Sequence, residues 1–337
     1  MKISTIAFTD NGMEIAGRLA DSFEDCEFEI SRCARGGLSQ WTEEHFTRDA
    51  IVFIGAMGIA VRAIAPFVKT KTKDPAVIVV DELGHFSIPV LSGHIGGANE
   101  LAVKIADVLG AVPVITTATD INNVFAIDTW AKGENLRILN PECIKLVSSK
   151  LLKGKTVHVK SSYFIGGKLP ENIQINDLKD LSDYDVIITH DNEDIEKINN
   201  KNILLLVPAI ITAGIGCRRG IGFEIIEKSV LNALNKENCH ILSLKAIASI
   251  DKKANEKGIL EFAGKYGLPF NTYSAEELNS LEGDFTKSDF VKSVVSVDNV
   301  CERSAIAESK GELIRRKDAG NGVTVALAIN EPVISWE

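Results

Sequence analysis

One of the six histidines, His94, sits in a run of small and polar residues, Ser92-Gly93-His94-Ile95-Gly96-Gly97-Ala98-Asn99, between an apolar stretch and an amphipathic one. A strand feeding a glycine-rich turn that opens a helix presents unpaired N–H groups and the positive end of a helix dipole to an anion. An imidazole exchanges protons near neutral pH, and a neighbouring hydroxyl can donate or attack. The turn is therefore a candidate reaction site through His94 and Ser92, and a candidate binding site through Gly93, Gly96, Gly97 and Asn99. Thr116-Thr117-Ala118-Thr119-Asp120, after the next strand, adds hydroxyls, among them those of Thr116 and Thr117, and the carboxylate of Asp120. His45, His158, His190 and His240 read as ordinary surface or strand residues.

Two further clusters combine glycine with arginine. Phe53-Ile54-Gly55-Ala56-Met57-Gly58-Ile59-Ala60-Val61-Arg62 is another strand-to-helix turn. Arg62, in the first helical turns, is placed to pair a carboxylate bidentately beside the amides of Gly55 and Gly58. If the strands before Gly55 and Ser92 end on one sheet edge, Arg62 and His94 share a site. The plainer reading is that Gly55 and Gly58 only permit tight packing of strand on helix.

The other cluster is Gly214-Ile215-Gly216-Cys217-Arg218-Arg219-Gly220. Arginines at a helix start oppose the dipole, a conflict relieved by an anionic ligand or by a fixed acid such as Glu224 or Glu227. Gly214, Gly216 and Gly220 would let backbone approach that ligand. Cys217 is either a thiolate nucleophile held by its arginine neighbours or a small packed side chain. The basic run Lys69, Lys71 and Lys73 reads as a solvated face.

Residues 1–130 must position the first two clusters. Strands are expected over 3–8, 27–31, 50–54, 76–81, 86–91 and 113–116, with helices over 11–22, 59–68 and 98–109. Residues 131–209 read as a small α/β middle segment, with a polar surface loop over 170–185 and a strongly charged stretch over 191–202. From 210 the pattern sharpens again: strands over 210–214, 245–250, 269–273 and 323–329, helices over 222–234 and 254–266, and a helix opened by Ser274 and Glu277. The spacing predicts an α/β chain: two three-layer α/β/α domains, 1–130 and 210–337, with mostly parallel sheets, joined by the middle segment 131–209.

Composition narrows the function. Acidic residues outnumber basic ones by 46 to 37, so a general nucleic-acid binder is not expected and any anionic ligand must be held by local positive groups. The six cysteines form no C-x-x-C pair, and the first residues read as a strand. No stretch reaches the roughly 18–20 apolar residues of a membrane span. A cytoplasmic chain with reduced thiols and no membrane partner is expected. Metalloprotease, P-loop and Gly-x-Ser-x-Gly patterns are absent, and the Gly-x-x-Gly turn lacks the third glycine of a dinucleotide site.

In combination these motifs resemble the cobalt-precorrin-5A hydrolase (CbiG) family of anaerobic cobalamin biosynthesis. The resemblance runs through Phe53 to Pro66, Asp74-Pro75-Ala76-Val77, Leu91 to Asn99 and Ile115 to Asp120. It resumes at Gly214 to Gly220, Tyr273-Ser274-Ala275-Glu276-Glu277-Leu278, Val300-Cys301-Glu302 and Gly322 to Ala328, while the middle segment matches loosely. It implies an enzyme that opens the ring A acetate δ-lactone of cobalt-precorrin-5A. C20 and its methyl then leave as acetaldehyde, giving cobalt-precorrin-5B. Cobalt would arrive on the substrate, so neither a protein-bound metal nor another cofactor is expected; further enzymes of the pathway are the conceivable partners.

The resemblance brings no catalytic residues with it. On chemical grounds, His94 or alternatively Asp120 handles the proton, N–H groups near Gly96 and Gly97 hold the oxyanion, and Arg62, Arg218 and Arg219 grip substrate carboxylates. The rival readings are a nicotinamide-dependent oxidoreductase and a non-catalytic tetrapyrrole-binding carrier of the same pathway.

Overall fold

The computed structural model describes residues 1–70, 73–94, 96–122, 124–198, 202–287 and 296–336, so Lys71, Ile95 and residues 199–201 of the charged stretch lie outside the described residues. The chain divides into two compact units, Met1–Trp130 with Leu151–Lys153, and Ala131–Lys150 with Gly154–Glu337.

The first unit runs β1 (Lys2–Ala7), α1 (Asp10–Ser22), β2 (Glu27–Arg32), α2 (Leu38–His45), β3 (Ala50–Ile54), α3 (Met57–Ile64), β4 (Ala76–Val80), β5 (Phe86–Leu91), α4 (Ala98–Leu109), β6 (Val112–Pro113) and α5 (Ala118–Ile121), and α6 (Ile127–Gly133) starts at its end. One sheet orders them β2-β1-β3-β4-β5-β6. Every residue of β3 is buried, as happens only where both sheet faces are covered. Ala50, Val52 and Ile54 pack with Leu19 of α1 and with Leu101 and Ile105 of α4. Ile51 and Phe53, pointing the other way, meet Ala60 and Ile64 of α3. Each such burial contributes about 1.5–3 kcal/mol, which fixes the register of the strand.

The strand directions decide where the site lies. β1, β2, β3 and β4 are parallel neighbours, but β5 pairs antiparallel with β4, Val80 opposite Ser87 and Val77 opposite Leu91. β6 runs parallel to β5. The turns after β5 and β6 therefore lie at the edge where β4 begins, and the turn after β3 lies at the edge where β4 ends. A five-residue strand at about 3.3 Å per residue separates the two edges by about 16 Å. The shared site expected for Arg62 and His94 is thus corrected: the β4–β5 hairpin turns the chain round between them.

Other differences are local. α3 stops at Ile64, short of the expected 68: Ala65 still has helical dihedrals, but Pro66 has no N–H to continue the ladder to the Arg62 carbonyl. β6 covers two residues, fewer than the expected 113–116. The helix α2 was not anticipated, since Leu38-Ser39-Gln40-Trp41 offers one apolar turn only.

The second unit holds β7 (Leu136–Ile138), most of α7 (Ile144–Leu152), β8 (Val157–Ser161), β9 (Ile165–Gly166), β10 (Ile173–Ile175), β11 (Val186–Ile188), α8 (Asn192–Ile198) and β12 (Leu204–Pro208). It continues with β13 (Ile211–Cys217), α9 (Phe223–Lys236), β14 (Leu244–Ile250), α10 (Lys257–Tyr266), β15 (Phe270–Tyr273), α11 (Ala275–Ser280), α12 (Val300–Ser309), β16 (Glu312–Gly320), β17 (Val323–Ile329) and β18 (Ile334–Ser335). Residues 136–208 form a sheet of their own, β10-β8-β11-β12-β7, parallel except for β12 with β7. They are stitched to the following segment at an Asp191–Cys239 bridge and through Asn238, which donates to Asp191.

The last sheet orders β15-β14-β13-β17-β16. Its β13–β14 and β14–β15 pairs are parallel, and β17 runs antiparallel to both β13 and β16. Ile226 and Val230 of α9 and Ile259 and Phe262 of α10 cover one face against Ala213, Ile215, Val325 and Leu327. α12 covers the other, where Ser304 Oγ donates to the Ala248 carbonyl. The α/β architecture is as expected, with an additional edge strand, β16, hidden in the sequence by Arg315-Arg316-Lys317-Asp318. The helix opened by Ser274 carries the expected capping box with Glu277.

Candidate functional site

The His94 turn is a tight curl whose backbone groups are mostly spent on itself. Gly97 N–H donates to the His94 carbonyl at 2.8 Å, Ala98 N–H to Ser92 at 3.1 Å and Asn99 N–H to Gly93 at 2.9 Å. Ser92 Oγ donates to the Asp74 carbonyl at 3.0 Å, which pins the curl to the strand start beside it. A Cβ on Gly96 would fall on Ser92, so only glycine fits there. These bonds bear on two expectations: the Ser92 hydroxyl is engaged with the Asp74 carbonyl, and the Gly97 N–H, given to the His94 carbonyl, is not free for an oxyanion.

What the curl holds out is the imidazole. The His94 side chain is 14% exposed, with Nε2 3.1 Å from Asp120 Oδ2 and Nδ1 3.6 Å from Asp128 Oδ1. Thr119 Oγ1 lies 3.0 Å from Nε2 and Thr129 Oγ1 3.2 Å from Nδ1. Asn99 Nδ2 donates to Asp120 Oδ2 at 2.7 Å and to Thr117 Oγ1 at 3.0 Å. Nε2 and Asp120 Oδ2 are within hydrogen-bonding distance, so the imidazole and the carboxylate form one polar unit. Such a unit can take a proton from water and return it to a leaving oxygen. Asp128 and Thr129, on the Nδ1 side, fix the orientation of the ring, and Thr129 also lines the cavity over it.

A cavity of about 590 Å³ opens over this pair. Asp120 and Asn99 stand at its floor with His94, Glu100 at its rim, and Val103, Ile115 and Ile121 form an apolar wall. No lysine or arginine is among these lining residues, so the cavity suits an uncharged electrophile better than a carboxylate. Thr116 is exposed beside Thr117 and is not among the residues lining the cavity. Asp128 and Thr129 were missed in the sequence; an acidic first turn at α6 was the only local sign of Asp128.

Gly55, Gly58 and Arg62 stand apart from this cavity, at the far sheet edge. Arg62 lies in the last turn of α3, exposed, with Nη1 folded back onto the Gly58 carbonyl at 3.2 Å. Gly55 packs under the Phe8 ring, where a Cβ would come within 2.8 Å of it. The geometry supports a packing role for Gly55; Gly58 is exposed, and a Cβ there would meet only the end of the Arg62 side chain at 3.4 Å.

The Arg218–Arg219 cluster also changes shape. β13 continues to Cys217, and α9 begins only at Phe223, so the arginines occupy a loop and do not oppose a helix dipole. Neither pairs with Glu224 or Glu227; Glu227 takes Lys265 and Tyr266, each at 2.6 Å. Gly214 is buried under α12, where a Cβ would run into the Cys301 carbonyl, so it serves packing and not a ligand. Gly216, Cys217, Arg218 and Arg219 do line a cavity of about 670 Å³, joined by Lys253, Cys301 and Lys317. Gly220 N–H donates to Glu256 Oε1 at 2.6 Å, and Lys253 Nζ sits 2.9 Å from Glu256 Oε2. Burial pushes the Cys217 thiol up despite the nearby Lys253 charge, which disfavours a thiolate there. Among the described residues no group of three or more His, Cys, Asp or Glu side chains is arranged to hold a metal ion.

Comparison with known proteins gives these sites a setting. The family described as cobalamin synthesis G N-terminal matches residues 40–120, and cobalamin synthesis G C-terminus matches residues 211–328. A Salmonella typhimurium protein named cobalt-precorrin-5A hydrolase is 35% identical over 97% of this chain and 97% of its own length. The chain belongs to the cobalt-precorrin-5A hydrolase family. A Priestia megaterium protein of the same name is 31% identical over 96% of this chain and 94% of its own. Within the cobalt-precorrin-5A hydrolase family match, His94, Asn99 and Asp120 fall in the amino-terminal part and Arg218 and Arg219 in the carboxyl-terminal part, whereas Asp128 and Thr129 lie beyond both. The crystal structure of a cobalamin biosynthesis protein G homolog from Sulfolobus solfataricus is 24% identical, covers 98% of this chain and 97% of its own, and has a TM-score of 0.43.

Proposed function

We propose that this chain is a cobalt-precorrin-5A hydrolase, opening the ring A acetate δ-lactone with release of acetaldehyde to give cobalt-precorrin-5B, and that it does so at the His94 cavity. Two relatives of that name aligning along nearly the whole chain support the reaction. The observation that carries the site is the His94 ring set between Asp120 and Asp128 beneath a cavity without cations.

In this reading water, deprotonated by the Asp120–His94 pair, adds to the lactone carbonyl. The acyl–oxygen bond then breaks, leaving the acetate carboxylate and placing the proton on the oxygen of C20. The bond joining C20 to the macrocycle then breaks, leaving its electron pair on the ring system and passing the hydroxyl proton back to the Asp120–His94 pair, and C20 departs with its methyl and that oxygen as acetaldehyde. The new carboxylate meets Asp120 and Glu100, a like-charge environment that speeds product release. Val103, Ile115 and Ile121 shield the reacting carbon from bulk water. Cobalt enters with the substrate, and the protein supplies no cofactor. All six cysteines are unpaired, which suits a reducing cytoplasm. No helix among the described residues is long and apolar enough to cross a membrane.

Anaerobic incubation with cobalt-precorrin-5A, followed by acetaldehyde assay, tests the reaction and separates it from a carrier role, which would release none. His94→Ala is expected to lower kcat by about 10²–10⁴-fold, the usual worth of a positioned acid–base group. Wild-type rates in that variant would remove His94 from the mechanism.

A further inference from the structure

The two cavities carry opposite electrostatics. The His94 cavity is lined by Glu100 and Asp120, by His94, Asn99 and Thr129, and by apolar side chains, with no lysine or arginine among them to pair the carboxylates of a ligand. The cavity at the end of β13 gathers Arg218 and Arg219 from one loop, Lys253 from the segment after β14, and Lys317 from β16. In a chain of net charge −9 such a concentration of cations is not a by-product of composition.

Nor is it neutralised in place. Lys253 is matched by Glu256, whose carboxyl burial alone would raise, but which the bonds from Lys253 and the Gly220 N–H, with the Lys253 and Arg219 charges, hold below the usual range. The buried Glu302 carboxylate is taken by the backbone N–H groups of Thr286 and Lys317. Among the described residues, Arg218, Arg219 and the Lys317 ammonium have no carboxylate within ion-pair distance. The stem of Arg218 rests on Gly322, where a Cβ would already crowd its Cδ at 3.2 Å, and its N–H donates to the Gly322 carbonyl at 2.9 Å, so this loop is held and not loose.

We infer that this cavity is a carboxylate clamp, a binding site for a polycarboxylate macrocycle that is separate in its chemistry from the His94 cavity. The inference rests on the hydrolase reading for the identity of the physiological ligand, but not for the clamp itself. Arg218 and Arg219 each offer a planar fork for one carboxylate, and Lys317 a point charge for another. A ligand with carboxylates fanned around a rigid ring engages all three at little entropic cost.

Uroporphyrin, a rigid ring with eight carboxylates, is the probe, titrated by fluorescence against the full chain. Binding is expected to weaken as salt rises, and to weaken by about ten- to hundredfold in Arg218→Gln/Arg219→Gln and by a smaller factor in Lys317→Gln. A cationic porphyrin of similar size should not compete. His94→Ala should bind uroporphyrin like the wild type, so failure of the hydrolase reading and failure of the clamp give different results. The clamp is overturned if the wild type does not bind uroporphyrin, if the double variant binds it unchanged, or if the cationic porphyrin binds as well.

Discussion

Asp128 sets which way the His94 ring faces. Its carboxylate is 8% exposed and stands with Thr129 on the Nδ1 side, leaving Nε2 toward Asp120 and the cavity. Asp128→Asn preserves the shape but removes the charge behind the ring. We expect kcat to fall by about 10–100-fold, less than for His94→Ala, with KM little changed, as for an outer partner that orients a working group. Acetaldehyde release measured for both variants checks the order, and an Asp128→Asn enzyme as slow as His94→Ala would make Asp128 a direct participant. Ser92→Ala should behave differently. It loses one bond to the Asp74 carbonyl, about 0.5–1.5 kcal/mol of stability, while kcat falls less than tenfold. A thousandfold loss would restore Ser92 as a catalytic hydroxyl. At this scale the sequence told half of the story. The coincidence of His94, Asn99 and glycines in one turn was visible because those residues are adjacent, and Asp120 followed from the next turn. Asp128 and Thr129 were invisible, since nothing in Ile127-Asp128-Thr129-Trp130 marks a helix start that will arrive behind an imidazole.

Elements were easier to read than their directions. Strands 50–54 and 86–91 and helix 98–109 appear with the bounds expected, because unbroken apolar runs and a 3.6-residue stripe leave few alternatives. The short Leu83-Gly84-His85 turn brings β5 back against β4. Its consequence, that the Gly55 and Gly93 turns open on opposite edges, follows from direction and not from any residue in either turn. Glycine at strand ends likewise has two meanings that the sequence alone does not separate. Gly214 admits α12 against β13, and alanine there would drive a methyl into the Cys301 carbonyl. Gly214→Ala should therefore destabilise the second unit by about 1–3 kcal/mol, a drop of roughly 2–10 °C in Tm. Thermal unfolding followed by circular dichroism measures it. A Tm within a degree of wild type would mean that α12 can shift away without cost, and that the glycine is there for another reason.

Across the whole molecule, acid-sensitive groups are distributed unevenly. Burial lowers the values of His190 and His240, and Asp191 only partly offsets this at His190. His240 also accepts a bond at Nδ1 from the Leu242 N–H, which a proton there would break. Asp318 is held below its usual range by the Lys236 bond and by Arg315, and Glu256 by the balance given above. All four belong to the second unit. In the first, the shifted carboxyl among the described residues is Glu27, wholly exposed beside Lys2 and Arg48, where an ion pair contributes little. The signs run the same way for both kinds of group. A histidine whose folded value is lowered is protonated first in the unfolded chain, so stability falls as pH drops below about 6.5. A carboxyl whose folded value is lowered supports the fold above about 4 and loses that support as pH falls further. The second unit should therefore weaken in two stages on acidification, one between about pH 6.5 and 5 and one below about 4, while the first unit changes little in the upper stage. Trp336 reports the second unit and Trp41 the first, so variants keeping one tryptophan each separate the transitions. Between pH 7 and 5 the Trp336 melting temperature should fall further than that of Trp41, and His240→Gln should flatten the upper stage. Equal falls at both tryptophans, or a His240→Gln variant with the same slope, would show that burial of these histidines is not what couples the fold to pH.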